Sequence, residues 1–133
     1  MKLTYFNSSD STRRPFNNPA NEGIESVPDL LQQLKTYGCD VEFVDVRSMN
    51  ESERYDAYMR VAAPAIYKHY EVKRVLGTNR RSACWFGAEI PALLVTGSDS
   101  VGDSYPHRKQ NRITTIQKCL TALLASQAQA DNV

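Results

Sequence analysis

Strand-like and helix-like segments alternate along most of this 133-residue chain, and that alternation limits the fold more than any other feature of the sequence. Hydrophobic periodicity and turn signals predict these segments in chain order: a strand at 3–6, a helix from 26 to the glycine at 38, a strand at 41–46, a helix from near 48 or 50 to about 70, a strand at 92–95, a short edge strand at 101–104 and a helix from about 106 to 126. This order predicts a single α/β domain over residues 1–133, with 127–133 as a frayed tail. We expect the first two strands to be parallel and joined by a right-handed crossover.

Local signals set some of the predicted boundaries. Ser26 supplies an N-cap hydroxyl ahead of Pro28 in the first helix, and Gly38 can take the left-handed conformation that ends it. The strand at 41–46 is almost continuously apolar, which is typical of a strand covered on both faces. Pro64 cannot donate a backbone hydrogen bond, so we expect a kink or two consecutive helices there.

Two segments carry a family resemblance. The sequence KLTYFN opens the chain at 2–7 as a strand, and IPALLV at 90–95 places a proline directly ahead of an apolar strand. Together with the element order, they resemble the thioredoxin-like superfamily, and the opening also looks like the amino-terminal domain of glutathione transferases. The resemblance implies a three-layer α/β/α sandwich around a mixed sheet of about four strands, with the Ile90–Pro91 peptide in the cis form beside the reactive site. A small open flavodoxin-like or Rossmann-like sheet is the alternative that the element order permits.

The chain departs from that family where the family does its redox chemistry. Directly after the opening strand stands SSDST at 8–12 rather than a Cys-x-x-Cys pair. Dithiol exchange needs a thiolate with a second sulfur in reach, so we expect the domain to be redox-inactive. A glutathione-transferase-like site needs only a hydroxyl near the first helix. Residues of that type are Tyr5, Ser8, Ser9 and Ser11, but the predicted helix begins too far downstream to carry them on its first turn.

The three cysteines are widely separated and odd in number, which predicts reduced thiols and a cytoplasmic location. Cys119 lies among apolar residues of the last predicted helix and is interpreted as a core residue, while Cys39 occupies a turn between a helix and a strand. Cys84 is the weak catalytic candidate, because the guanidinium groups of Arg80 and Arg81 would stabilise a thiolate there.

Composition limits the partners and cofactors. The formal net charge of +1 gives no overall attraction to nucleic acid or to an anionic membrane, and no apolar stretch approaches the ~20 residues needed to cross a bilayer. His69 and His107 are far apart and have no ligand-spaced carboxylate or cysteine companions, so no metal is expected. Neither a Gly-x-Gly-x-x-Gly nor a Walker sequence occurs, and no cofactor is predicted.

Local charge is more informative than net charge. Residues 73–81 hold four basic residues and no acid, whereas 40–56 hold six acids against Arg47 and Arg54, so the molecule should be dipolar. A second basic group begins at 107, where the predicted last helix starts, and cations are disfavoured at a helix amino terminus unless an anion binds there. Its members are His107, Arg108, Lys109 and Arg112.

These observations predict a binding or regulatory module for a protein partner or a small anionic ligand, with a homodimer left open. Strand carboxyl ends are where α/β proteins bind ligands, and hydroxyl and guanidinium groups suit phosphate, while Trp85 has the composition of an interface anchor. The predicted ligand-binding residues are Ser8, Ser9, Ser11, Arg13, Arg14, Arg80, Arg81, Trp85, Ile90 and Pro91. The alternative is an enzyme, either a single-cysteine thiol oxidoreductase using Cys84 or a glutathione- or phosphate-ligand enzyme using residues 8–14.

Overall fold

A four-stranded mixed sheet with three α-helices forms the centre of the computed structural model, which describes residues 1–7, 22–68, 91–98 and 101–131. The elements are β1 (Lys2–Asn7), α1 (Val27–Thr36), β2 (Asp40–Asp45), α2 (Glu51–Lys68), β3 (Ala92–Thr96), β4 (Asp103–Tyr105), β5 (His107–Lys109), β6 (Arg112–Thr114) and α3 (Ile116–Asp131). Short 3₁₀ helices, Ile24–Ser26 and Val46–Ser48, precede α1 and follow β2. The predicted α/β class is confirmed.

The sheet has the strand order β2-β1-β3-β4. β1 and β2 are parallel, with Lys2 opposite Asp40, which confirms the predicted pairing of the first two strands. β3 runs antiparallel to β1, with Leu3 opposite Val95, and β4 runs antiparallel to β3. In the described part of the chain, β2 and β4 are therefore the two edges of this sheet.

Successive side chains of the central strands alternate between two cores, one on each face of the sheet. One core joins the sheet to α1 and α3, and the other joins it to α2. The buried members of the first are Leu3, Tyr5, Val27, Leu31, Leu34, Leu93, Ile116, Cys119 and Leu120. The buried members of the second are Phe6, Val46, Ala57, Tyr58, Val61, Ala62, Ala92 and Leu94. The helices thus cover both faces of the sheet.

Both ends of α1 lie where the sequence predicts them, with Ser26 at the N-cap position and Gly38 after the last turn. Gly38 has a φ of 93°, and its N–H donates to the carbonyl of Lys35 at 3.0 Å, so a left-handed glycine follows the last turn as predicted. The predicted hydroxyl cap is wrong. Ser26 Oγ donates to the carbonyl of Gly23 at 2.7 Å and makes no capping bond to the first turn of α1.

A reciprocal cap starts α2, and the helix then continues past Pro64. The N–H of Asn50 donates to Glu53 Oε1 at 3.0 Å, and the N–H of Glu53 donates to Asn50 Oδ1 at 2.8 Å. The helix runs from Glu51 to Lys68 as one element, so of the two predicted alternatives, a kink or two consecutive helices, the second is wrong. Pro64 is buried, and its neighbours Val61 and Ala62 pack in the core, which offsets the hydrogen bond that proline cannot donate.

The prediction that the second strand is covered on both faces is wrong. Among the described strands β2 pairs with β1 only, and its residues are exposed or half-buried. Phe43 keeps 55% of its surface exposed. An apolar run does not settle burial, because the position of the strand in the sheet decides how much of it is covered.

The segment predicted as the start of the last helix is a β-hairpin. β5 and β6 pair antiparallel, and Gln110 (φ 52°) and Asn111 (φ 62°) form the two-residue turn between them. α3 begins at Ile116, after Thr115, whose Oγ1 accepts a hydrogen bond from the N–H of Lys118 at 3.0 Å. The helix start at 106 and the basic group at a helix amino terminus are therefore wrong, and α3 continues to residue 131, past the predicted end at 126.

Candidate functional site

Most of the residues that the sequence predicts for binding lie outside the described residues. They are Ser8, Ser9, Ser11, Arg13, Arg14, Arg80, Arg81, Trp85 and Ile90, together with the catalytic candidate Cys84. The Ile90–Pro91 peptide bond lies outside the described residues for the same reason, and a cis peptide bond is seen at Tyr105–Pro106. Pro91 is the predicted site residue whose surroundings are described.

Pro91 is buried directly ahead of β3. The next residue, Ala92, lies opposite Phe6 near the carboxyl end of β1, so Pro91 lies at the end of the sheet where the parallel strands β1 and β2 finish. That end is where α/β proteins bind ligands. Asn7 and Asp45, the last residues of the two parallel strands, are exposed there and supply polar groups.

The hairpin formed by β5 and β6 carries a cationic tip. In its register, Lys109 lies directly opposite Arg112 beside the turn. Both residues are exposed, as are the turn residues Gln110 and Asn111. Directly opposed like charges destabilise a strand pair, so the tip favours a negatively charged neighbour.

Contacts with β4 fix the base of the hairpin. His107 is only 7% exposed, and its Nδ1 lies 2.6 Å from the carbonyl oxygen of Ser104. Since a carbonyl oxygen only accepts, Nδ1 carries the proton in this hydrogen bond. The imidazole also packs against Tyr105, with the ring centroids 4.6 Å apart. An exposed cationic tip thus extends from a buried base.

A small polar cluster connects β4 with α2 and α3. Burial is the main cause that raises the pKa of Cys119 to about 12. The nearby Asp103 carboxylate also raises this pKa, whereas a hydrogen bond with the Tyr105 side chain lowers it. Asp103 also accepts a charged hydrogen bond from Lys68 Nζ at 3.1 Å. A thiol with so high a pKa is protonated at neutral pH, so this cluster supports the fold and supplies no nucleophile.

The opposite edge of the sheet is acidic. The exposed carboxylates of β2 are Asp40, Glu42 and Asp45. Glu42 pairs with Lys2 Nζ at 3.1 Å, and Phe43 makes an edge contact with the buried ring of Tyr5, with centroids 6.3 Å apart. β2 therefore combines an edge position, negative charge and exposed apolar surface.

Sequence reasoning recognised part of these two surfaces. It singled out Arg108, Lys109 and Arg112 as a basic group but assigned them to a helix. It missed Phe43 as an exposed residue, because the apolar run suggested burial. The signal that could have placed Phe43 at an edge is the interleaving of acids in DVEFVD at 40–45, since charged side chains are typical of edge strands.

Within the described ranges, no group of three or more His, Cys, Asp or Glu side chains is arranged to hold a metal ion. Across the same ranges, no helix has both the length and the apolarity needed to cross a bilayer. Comparison with protein-family models, curated proteins and solved structures gives no match for this chain.

Proposed function

We propose that this chain is a redox-inactive thioredoxin-like domain that binds an acidic surface of a protein partner through the hairpin tip. The observation that carries the proposal is the exposed pair of Lys109 and Arg112, in a segment that has no acid between residues 107 and 112. The scaffold is supported by the mixed four-stranded sheet with helices on both faces and by the buried Pro91 ahead of β3.

The shape of the tip favours a macromolecular partner over a small anion. Small-molecule sites are concave and bury most of the ligand, whereas residues 109–112 are all exposed around a two-residue turn. Exposed cations of this kind hold an acidic surface by several screened contacts, each worth about 0.2–1 kcal/mol. A nucleic acid is disfavoured, because its affinity grows with the number of phosphate contacts and the hairpin offers only Arg108, Lys109 and Arg112 as permanent cations.

The lack of dithiol chemistry is testable by insulin reduction. SSDST stands at 8–12, and the pKa of about 12 leaves Cys119 with a thiolate fraction on the order of 10⁻⁵ at pH 7. We expect substoichiometric protein to leave the rate of insulin reduction by dithiothreitol unchanged, as measured by turbidity. Acceleration at the rate of a true thioredoxin would contradict the proposal, and its loss in Cys84→Ser would favour the single-cysteine oxidoreductase.

Fluorescence anisotropy with a labelled oligoglutamate peptide tests the hairpin. We expect the wild-type protein to bind and its affinity to fall as salt is raised, because exposed charge pairs are screened over about 8 Å at physiological ionic strength. The hairpin variant, Lys109→Glu/Arg112→Glu, should bind at least about tenfold more weakly, which corresponds to about 1.4 kcal/mol. Its circular dichroism spectrum should remain that of the wild type.

Lys118→Glu is the matched control for this experiment. It makes the same kind of charge reversal at an exposed residue of α3, outside the hairpin, and we expect it to bind the peptide nearly as the wild type does. If the control and the hairpin variant lost the same amount of peptide affinity for each reversed charge, net charge rather than the hairpin would govern binding. Equally tight binding of a single-stranded oligonucleotide would contradict the choice of a protein partner.

A further inference from the structure

An acidic surface that suits the hairpin tip is present on this same chain. We propose that the hairpin tip of one copy docks on the β2 edge of a second copy, so that the molecules associate head to tail. This inference rests on the proposed function, because it names the acidic surface that the hairpin recognises.

Charge distribution is the first support for this docking. Residues 40–53 hold five acids against one base, Arg47. The acids are Asp40, Glu42, Asp45, Glu51 and Glu53, and all of them are exposed. The hairpin at 107–112 holds three permanent cations and no acid. The two surfaces are therefore complementary in sign.

The strand order places the acidic surface and the strand that leads into the hairpin at opposite sides of the sheet. β2 and β4 are the outer strands of the order β2-β1-β3-β4, and the hairpin follows β4 in the chain. Three strand spacings of about 4.8 Å place β2 about 14 Å from β4. That separation exceeds the screening length of about 8 Å at physiological ionic strength. A second molecule can bring the opposite charges into contact.

Exposed aromatic rings make the β2 edge suitable for arginine. Phe43 and Asp45 are two residues apart in β2 and therefore share a face of the strand, and Tyr37 at the end of α1 is 42% exposed. A guanidinium group can pair with a carboxylate and also stack on an aromatic face. Arg112 at the hairpin tip would find both kinds of partner on the β2 edge.

Symmetric self-association fits the charges less well. Antiparallel pairing of two β2 strands along their full length would set Asp40 opposite Asp45, and directly opposed like charges are destabilising. Two hairpin tips would repel each other because both are cationic. Head-to-tail docking joins unlike surfaces, and such heterologous contacts build rings or chains.

Sedimentation velocity with charge-reversed variants tests the docking. In low salt, the wild-type protein should show a weight-average mass above that of the monomer, rising with protein concentration and returning to the monomer mass in high salt. The hairpin variant and an edge variant, Asp40→Lys/Glu42→Lys, should each lose self-affinity by at least about tenfold. An equimolar mixture of the two variants should associate again. The acidic hairpin of the hairpin variant can bind the basic edge of the edge variant, and the unchanged hairpin of the edge variant can bind the unchanged edge of the hairpin variant.

Matched controls separate docking from a general effect of charge. Glu22→Lys/Glu25→Lys reverses two exposed acids ahead of α1, and Lys118→Glu reverses an exposed base outside the hairpin. Both controls should associate as the wild type does. The inference would be overturned by a wild type that is monomeric in low salt or by a docking variant that associates on its own. It would also be overturned by controls that fail to associate or by a mixture of the two docking variants that stays monomeric.

A chain with both pairs of reversals and a peptide-binding measurement complete the test of the docking. A chain that carries both pairs of reversals should associate as the wild type does, and a folded but monomeric chain of this kind would overturn the docking. A monomeric wild type that binds the oligoglutamate peptide through its hairpin would overturn the docking alone. A monomeric wild type that binds no peptide would overturn both the docking and the proposed function.

Discussion

Cys119 and Tyr5 are weak acids whose neutral forms are favoured in the core between the sheet and the helices α1 and α3. Burial raises the pKa of Cys119 from 9.0 to about 12 and the pKa of Tyr5 from 10.0 to about 12. The folded protein therefore keeps these protons at pH values where the unfolded chain has already lost them. Their protonation links the stability of this core to alkaline pH.

We predict that the free energy of unfolding falls as pH rises from about 9 to about 12. Below that range both states hold the protons, so the contribution to stability is fully present. Within it the unfolded chain deprotonates first, which favours unfolding by up to about 1.4 kcal/mol per pH unit for each group. Urea unfolding at a series of pH values under reducing conditions measures this slope.

A cysteine variant provides the control for the pH series. Cys119→Ala removes one of the two groups, so its stability should fall less steeply above pH 9. A wild-type stability that stays constant up to about pH 11 would contradict the pKa shifts attributed to burial.

At the scale of elements, the two glycines at turns differ in what an added methyl group would meet. Gly38 has a φ of 93° and open space around the position of a Cβ, so Gly38→Ala should cost only the left-handed conformation, about 1–2 kcal/mol. At Gly102, with a φ of 77°, a Cβ would lie 2.5 Å from the carbonyl oxygen of Val95. Gly102→Ala should therefore be more destabilising in urea unfolding, and equal costs would contradict the close approach between β3 and the turn.

The helices were more predictable from the sequence than the hairpin. In α1, the apolar spacing of Leu31 and Leu34 and the glycine at 38 agree with one another, so local signals sufficed. The hairpin was missed because Ile113 is in helical spacing with Ile116 and Leu120, although it lies on a strand. Its turn residues, Gln-Asn, are also not the Asn-Gly or Asp-Gly pair that marks a two-residue turn.

The sequence identifies the types of residue in the candidate site, but it does not show how they are arranged on the surface. The cations at 108, 109 and 112 stand out in the sequence, but only the register shows Lys109 opposite Arg112. The exposure of Phe43 goes with the outer position of β2 in the described sheet, which is a tertiary property. The acids interleaved at 40–45 favour an edge position, but a local pattern does not fix the order in which the strands pair.

At the scale of the whole molecule, a net charge of +1 conceals two surfaces of opposite sign. The sequence predicts a dipolar molecule from its acids at 40–56 and its bases at 73–81, and that basic run lies outside the described residues. The strand order then places the acidic strand β2 at one edge of the sheet and the strand that precedes the cationic hairpin at the other. Sequence could identify the runs, but their positions depend on the order in which the strands assemble.

Amide chemical shifts of isotope-labelled protein, titrated with the oligoglutamate peptide, test most directly whether the hairpin is the binding surface. We predict the largest shift changes at residues 107–114, centred on Lys109 and Arg112, with a weaker response at the same positions in the hairpin variant. The changes should diminish as salt is added. The assignment of the hairpin as the binding surface would be contradicted if the largest shift changes occurred around Asn7 and Ala92 at the end of the sheet. It would also be contradicted if the peptide bound without any shift change in the hairpin.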